Sequence, residues 1–451
     1  MFFQDLAAFD DRPAVVDGGC QWTYRSLAEA VSTFADALPV QRSLLLIKAS
    51  NSLETLTAYL ACLQHEHVML LVDGQIDELR LSALLKAYDA NAVVEQGEIH
   101  VRHNRRLSLS NDLALLLSTS GSTGSPKQVA LSAGNLDANA QAICDYLPIQ
   151  SSDTTITTLP FYYSYGLSVI NSHLRAGACL VMNEEPVVSR AFWERFREYG
   201  VNSLAGVPFT YDMLLRLRLT TMDLPSLRYL TQAGGKLAEP HIRTLAGWAI
   251  ETGRQFFVMY GQTEATARMA YNDHPHRKPG AIGRAIPGGE FRLSRQDGSL
   301  VDQPEAEGEL SYRGPNVMLG YAETLDDLAY FSGPEWLHTG DLAWFDTEGD
   351  FHISGRIKRF IKPFGQRISL DDVERLLEGQ GISARATGSD KALQVAVLDR
   401  GGSSEDDVKH WLHQSLGLHP SAIQVRLVEA LPVLGNGKPD YPAVGRLFDA
   451  S

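Results

Sequence analysis

Up to about Glu290, short apolar runs alternate along the chain with segments of helical period. Ser43 to Ile47, Val68 to Val72, Leu113 to Ser118, Thr154 to Leu159, Ala178 to Met182 and Phe256 to Met259 are compact and apolar, as strands covered on both faces must be. Leu27 to Leu38, Leu53 to Leu63, Ile76 to Ala87 and Asn135 to Leu147 read as the helices between them. In the last of these, Leu136, Ala140, Ile143 and Leu147 recur at helical spacing and form one apolar face that can dock on a sheet. This alternation predicts an α/β body. Beyond Glu290 the pattern changes to Gly-punctuated strands, Phe291 to Leu293, Gly308 to Tyr312, Leu342 to Phe345 and Phe351 to Ile353, joined by turns such as Glu348-Gly349-Asp350. A small antiparallel β subdomain is expected there. The chain closes on a small α+β unit, in which Ser369 and Asp372 form a capping box and Leu370, Val373, Leu376 and Leu377 supply the apolar helix face. The boundary falls near Gly355 to Arg359, giving a large N-terminal domain over 1–357 and a small C-terminal one over 358–451.

Length and charge narrow the class. At roughly 150 residues per domain, 451 residues leave room for one large core and a smaller one. With 40 basic and 54 acidic side chains the net charge is -14, which repels phosphate backbones and makes nucleic acid an unexpected partner. The four cysteines, Cys20, Cys62, Cys144 and Cys179, are too far apart for a zinc knuckle or a redox pair and suit a reducing compartment. His65, His67, His274 and His276 form close pairs without a third ligand, so no metal is assigned to them. The early residues are acidic rather than basic and apolar, and no stretch approaches about 18 apolar residues. A cytoplasmic protein without a transmembrane segment is expected.

The candidate chemistry begins after the Leu113 to Ser118 run. Thr119-Ser120-Gly121-Ser122-Thr123-Gly124-Ser125-Pro126-Lys127 combines glycines, which let backbone N–H groups turn inward as an anion nest, with hydroxyl donors and one point charge. Polyphosphate is the natural guest. The order G-x-x-G-x-P-K excludes a Walker A loop.

This segment resembles the phosphate-binding signature of the adenylate-forming superfamily, which groups acyl-CoA synthetases, peptide-synthetase adenylation domains and luciferases. Further motifs follow in that family's order over nearly the whole chain. Ala233-Gly234-Gly235-Lys236 is similar to the glycine-rich strand end that lies against adenine and the acyl group. Tyr260-Gly261-Gln262-Thr263-Glu264 offers an aromatic face for adenine, a hydroxyl for the α-phosphate and a carboxylate for Mg2+. His338-Thr339-Gly340-Asp341 resembles the ribose motif, with Asp341 accepting from both hydroxyls, and Gly355-Arg356-Ile357-Lys358 resembles the next, with Arg356 on ribose or phosphate and Lys358 at the hinge. Gly435-Asn436-Gly437-Lys438 matches the loop that delivers the catalytic lysine. Gln128, Arg359 and Glu66-His67 depart from the family's usual residues.

The resemblance implies a fold of stacked sheets with a mobile C-terminal lid. It also implies a two-step reaction in which ATP and Mg2+ convert a carboxylic acid to an acyl-adenylate with release of pyrophosphate. Thr263, Glu264 and Lys438 would be the catalytic groups. Rotation about Lys358 would then withdraw Lys438 and bring Gly365 near a pantetheine tunnel, for transfer to coenzyme A or to the phosphopantetheine of a separate carrier protein. Pro160 to Leu167 resembles the substrate gate, with Tyr163, Tyr165 and Gly166, together with Gly234, against the acid. None of these is acidic, so a neutral acyl or aryl acid is expected. Amino-acid adenylation for a carrier protein is the alternative. Intact Lys127, Glu264, Asp341, Arg356 and Lys438 speak against a homologue that binds nucleotide without turnover.

Overall fold

The structure, a computed structural model, describes all residues except 119–126, 296, 358, 362, 364–367, 390, 403, 436 and 450–451. The chain divides into two compact units. The first comprises Met1–Phe291 with Tyr312–Leu337, and the second comprises Arg292–Ser311 with His338–Ser451.

The first unit is built on two sheets. In the seven-stranded one, Leu113–Ser118, Val68–Asp73, Leu44–Ala49 and Ala92–Glu95 run parallel, with antiparallel neighbours on either side. One outer edge is formed by Gln128–Ser132 and then Gly320–Ala322. In the nine-stranded sheet Gln255–Tyr260, Tyr229–Gln232, Ser203–Gly206, Thr154–Ile156, Cys179–Val181 and Pro13–Asp17 form the parallel middle. Parallel strands need both faces covered. One apolar cluster accordingly joins Leu45, Ile47, Met69 and Leu115 of one sheet to Val15 and Leu180 of the other, through Tyr59, Leu60, Leu167 and Ile170 of intervening helices. Tyr59 donates to Asn171 Oδ1 at 3.2 Å within that layer.

The expected helices form with boundaries set by their caps. Thr23 and Ser26 close a capping box that starts the first helix at Tyr24 and carries it to Ala35. Ser52, Asp77 and Ser132 cap Leu53–Gln64, Glu78–Tyr88 and Ala133–Tyr146. Thr154–Ile156 is shorter than expected: Thr157 still donates its N–H to the Val181 carbonyl at 3.0 Å, but its hydroxyl accepts the next rung, the Asn183 N–H, at 2.8 Å and ends the ladder there.

Five further strands pair in the order Leu300–Val301, Glu290–Ser294, Gly308–Arg313, Leu337–Phe345, Phe351–Arg356. A three-stranded sheet of Ala384–Ser389, Ala392–Leu398 and Ile423–Val428 packs with helices Leu370–Gly379 and Glu405–Leu416 around Val373, Leu377, Val395 and Leu412. Half of the expected capping box is present. Ser369 Oγ accepts from Asp372 N–H at 3.2 Å, whereas the Asp372 carboxylate turns to Arg375.

Arg359 anchors this packing. Its guanidinium meets Asp371, donates to Glu374 Oε1 at 2.8 Å and to the Ala386 carbonyl at 2.7 Å, and lies 3.8 Å over the Tyr441 ring. The departure noted at this position is thus matched by two acids on the next helix, Asp371 and Glu374. Arg359→Ala leaves both carboxylates half-buried without their counter-charge. It is expected to destabilise the second unit by about 3 kcal/mol, read as a lower denaturant midpoint.

Candidate active site

The described part of the phosphate segment ends on Lys127, whose Nζ lies 3.7 Å above the centre of the Tyr321 ring. Tyr321 is placed there by the edge strand, where it pairs with Val129. Its hydroxyl donates to Glu264 Oε1 at 3.0 Å. Burial and the adjacent Glu264 carboxylate push that hydroxyl's pKa up, so it remains a donor. Tyr321 therefore touches the Lys127 cation with its face and the Glu264 carboxylate with its hydroxyl. Residues 119–124, the remainder of the expected phosphate loop, lie outside the described residues, as do Lys358 and Gly365.

Glu264 is delivered by a tight turn after Gln255–Tyr260. A Cβ at Gly261 would come 1.7 Å from the Ala267 carbonyl oxygen, so the chain can fold back here only with glycine. Thr266 holds φ +66°, rare for a β-branched residue, and is fixed by its hydroxyl to the Asn316 carbonyl at 2.7 Å. Thr263 is buried with its Oγ1 3.2 Å from Ser164 Oγ, and Gln262 Nε2 donates to the Tyr260 hydroxyl at 3.2 Å. On the neighbouring strand end Gly234 takes φ +84°, and Gln232 Nε2 ties back to the carbonyls of Ala233 and Gly235 at 3.2 and 2.8 Å. Lys236 follows on the same turn.

The expected substrate segment opens a helix, Ser164–Ala176, buried along most of its length. A Cβ at Gly166 would meet the Pro160 carbonyl at 2.4 Å. Tyr163 and Tyr165 are both buried, with rings edge to face at 6.3 Å, and Tyr165 donates to the Thr231 carbonyl at 2.9 Å. Both belong to an apolar cluster with Ile143, Ala205, Val207 and Met259. Burial pushes the Tyr165 hydroxyl up to about 12 and the nearby His173 down to about 4, so both are neutral at pH 7.

In the second unit, Asp341 and Arg356 face each other across the hairpin of Leu337–Phe345 and Phe351–Arg356. Arg356 Nε donates to Asp341 Oδ1 at 2.9 Å, and the Asp341 side chain is 2% exposed. Lys438 sits in a loop closed by the Val433–Pro439 bridge, where the Leu434 N–H donates to the Lys438 carbonyl at 2.7 Å and Gly437 takes φ +76°.

Comparison with known proteins decides the family. The family model described as AMP-binding enzyme matches residues 2–109 and 100–322, more than half of the chain. The chain belongs to the AMP-binding enzymes. It is 30% identical over 386 residues to the oxalate–CoA ligase of Arabidopsis thaliana, covering 81% of this chain and 72% of that one. It is also 30% identical over 401 residues to the indoleacetate–CoA ligase of Aromatoleum aromaticum, with 79% and 77% covered. The fold is that of the o-succinylbenzoate CoA synthetase of Bacillus subtilis, solved with its acyl-adenylate intermediate, at TM-score 0.81 and 21% identity over 100% of this chain and 98% of that one. As an AMP-binding enzyme of this kind, the protein is an acid–thiol ligase of the AMP-forming type.

The residues of this AMP-binding enzyme fit Mg2+. Glu264 presents a hard oxygen, and a single carboxylate suits a cation that takes most of its ligands from phosphates and water. Among the described residues no cluster of three or more His, Cys, Asp or Glu forms an all-protein cage. The first unit brings together Lys127, Glu264, Thr263 and the tyrosines of the substrate segment, and the second brings together Asp341 and Arg356. Tyr321, Asn316 and Arg268 were not found by sequence reasoning, and Ser164 was placed in the substrate segment without a role of its own. Tyr321 lies in a three-residue strand too short to show a period. Arg268 carried a usable signal, a lone charge between Ala267 and Met269. Tyr321→Phe keeps the ring under Lys127 and loses the hydroxyl on Glu264. Pyrophosphate exchange is expected to fall about tenfold and half-saturating Mg2+ to rise, measured by exchange across a Mg2+ series.

Proposed function

We propose that this protein activates an acyl or aryl carboxylic acid with ATP and passes the acyl group to coenzyme A. The Tyr321 ring in contact with both Lys127 and Glu264, beside buried Thr263, carries the reading. ATP and a carboxylate are both anions, so their reaction needs positive charge and alignment more than it needs a base. Residues 119–124 and Lys127 bind the β- and γ-phosphates, Thr263 donates to the α-phosphate, and Tyr260 with Gly234, Gly235 and Lys236 receives adenine. Mg2+ held by Glu264 supplies charge neutralisation on the phosphates. Asp341 accepts from the ribose hydroxyls and is oriented by Arg356.

Lys438 bridges the acid's carboxylate and the α-phosphate. A carboxylate oxygen forms the bond to the α-phosphorus as the bond to pyrophosphate breaks. The coenzyme A sulfur then attacks the acyl carbon and AMP departs. Residues 358–451 act as the moving segment, with Lys358 as hinge and Gly365 at the pantetheine path. The relatives' names, ligases of oxalate, indoleacetate and succinylbenzoate with CoA, support the acceptor and leave the acid open. Absence of ammonium partners in the Pro160 to Leu167 segment supports an acid over an amino acid.

The test is acid-dependent exchange of labelled pyrophosphate into ATP over fatty, aryl, hydroxy and amino acids, followed by loss of free CoA thiol with the best acid. Exchange with amino acids only overturns the substrate class. No exchange with any acid overturns the reading.

A further inference from the structure

Arg268 is the largest fully buried side chain of the chain's described residues, 2% exposed. Its backbone is pinned, since its carbonyl accepts from Asn139 Nδ2 and Asn316 Nδ2, each at 3.0 Å. The side chain is thereby directed into the cluster of the substrate segment, its guanidinium carbon 4.6 Å over the Tyr165 ring. Nη1 reaches the Tyr146 hydroxyl at 3.2 Å and Met259 Sδ at 2.8 Å. Nε is buried with no hydrogen-bond partner, and no carboxylate pairs with the group among the described residues. Its charge shifts the proton affinities of Tyr146, Tyr163, Tyr165, Tyr229 and His173, none of them a carboxylate.

A guanidinium does not shed its proton, so burying it without an anion is unfavourable. The less buried Arg228 and Arg359 both pair with acids, Asp153 and Glu374 among them. Arg268 has five donors in a planar fork, matched in shape to a carboxylate. We propose that Arg268 receives a second carboxylate carried by the acid substrate, so that this enzyme activates dicarboxylic acids. The inference rests on the acid-activation reading and names its substrate class. It replaces the neutral acid expected from the substrate segment with one that is anionic at its far end.

The experiment compares malonate, succinate, glutarate and phthalate with propionate, butyrate, valerate and benzoate in pyrophosphate exchange by wild type, R268M and R268K. A thermal-melting series with the same acids and no ATP is run alongside. Wild type is expected to favour a dicarboxylate over its length-matched monocarboxylate by about 100-fold in kcat/KM. R268M loses that preference and gains on monocarboxylates, while R268K retains part of it. Wild-type preference for monocarboxylates overturns the proposal, as does an equal loss of both classes in R268M, which would place the reacting carboxylate or a structural role on Arg268. Should R268M fail to fold, the wild-type preference and its reduction in R268K decide. If no acid exchanges but a dicarboxylate raises the melting temperature of wild type and not of R268M, the site stands and the ligase reading falls. If neither responds, both fall.

Discussion

Lys438→Ala is expected to abolish adenylate formation and to spare thioester formation from a supplied acyl-adenylate. The first half-reaction brings two anions together, and a lysine ammonium between them is stabilising chiefly in the transition state, where charge on the α-phosphoryl oxygens builds. Loss of such a group costs roughly 10²–10³-fold or more in rate. The second half-reaction attacks an uncharged acyl carbon with a thiol and has no such demand. The loop predicts little structural cost, since the Val433–Pro439 bridge and the Leu434 N–H to Lys438 carbonyl bond are backbone contacts that alanine keeps. Pyrophosphate exchange and CoA-thioester formation from synthetic adenylate read the two steps separately. Equal loss in both would remove Lys438 from its assigned role.

Gly261→Ala should be the most damaging methyl in the first unit. The added carbon would meet the Ala267 carbonyl oxygen at 1.7 Å and the Arg268 Cα at 2.9 Å, both backbone atoms. That backbone cannot withdraw freely, because Arg268 is held by Asn139 and Asn316 and Thr266 by its own hydroxyl. Either the turn opens and displaces Glu264 or the unit is destabilised by about 4 kcal/mol or more. Urea unfolding and exchange with ATP distinguish the two. Gly247→Ala is the control, since the methyl meets nothing within 4 Å in the middle of the Glu239–Glu251 helix. It should stabilise by about 0.5–1 kcal/mol.

The parts of the fold that were legible share one property: each is either an unbroken apolar run or a stripe of a single period. Strands such as Leu44–Ala49 and Val68–Asp73 are buried on both faces and show as apolar runs. The helix Ser164–Ala176 was hidden, although its opening residues were identified as a substrate segment. It is buried nearly all round, yet carries Ser168, Asn171, Ser172 and His173, which the chain accommodates by bonding Ser168, Ser172 and His173 to carbonyls one turn back. Polar residues satisfied inside their own helix erase the amphipathic stripe. For the site, contiguous motifs such as Tyr260 to Glu264 were readable, because short spacing fixes which groups stand together. Tyr321 and Asn316 were not, since their importance exists only through chain crossings that local sequence does not encode.

Those crossings also set an order of assembly. Asn135 Nδ2 donates at 2.7 Å to Pro315, a partner 180 residues downstream, and the strand bearing Tyr321 arrives later still. The ribosome must therefore deliver the phosphate segment, the tyrosine pocket and part of the second unit before the Gln128–Ser132 strand acquires its last neighbour. Until then that strand is an open sheet edge carrying Val129, Ala130 and Leu131, the kind of surface on which nascent chains pair wrongly. A chain halted at Phe291 would keep most of its core and none of this closure. Its vulnerability would lie in intermolecular strand pairing rather than in any loss of hydrophobic burial.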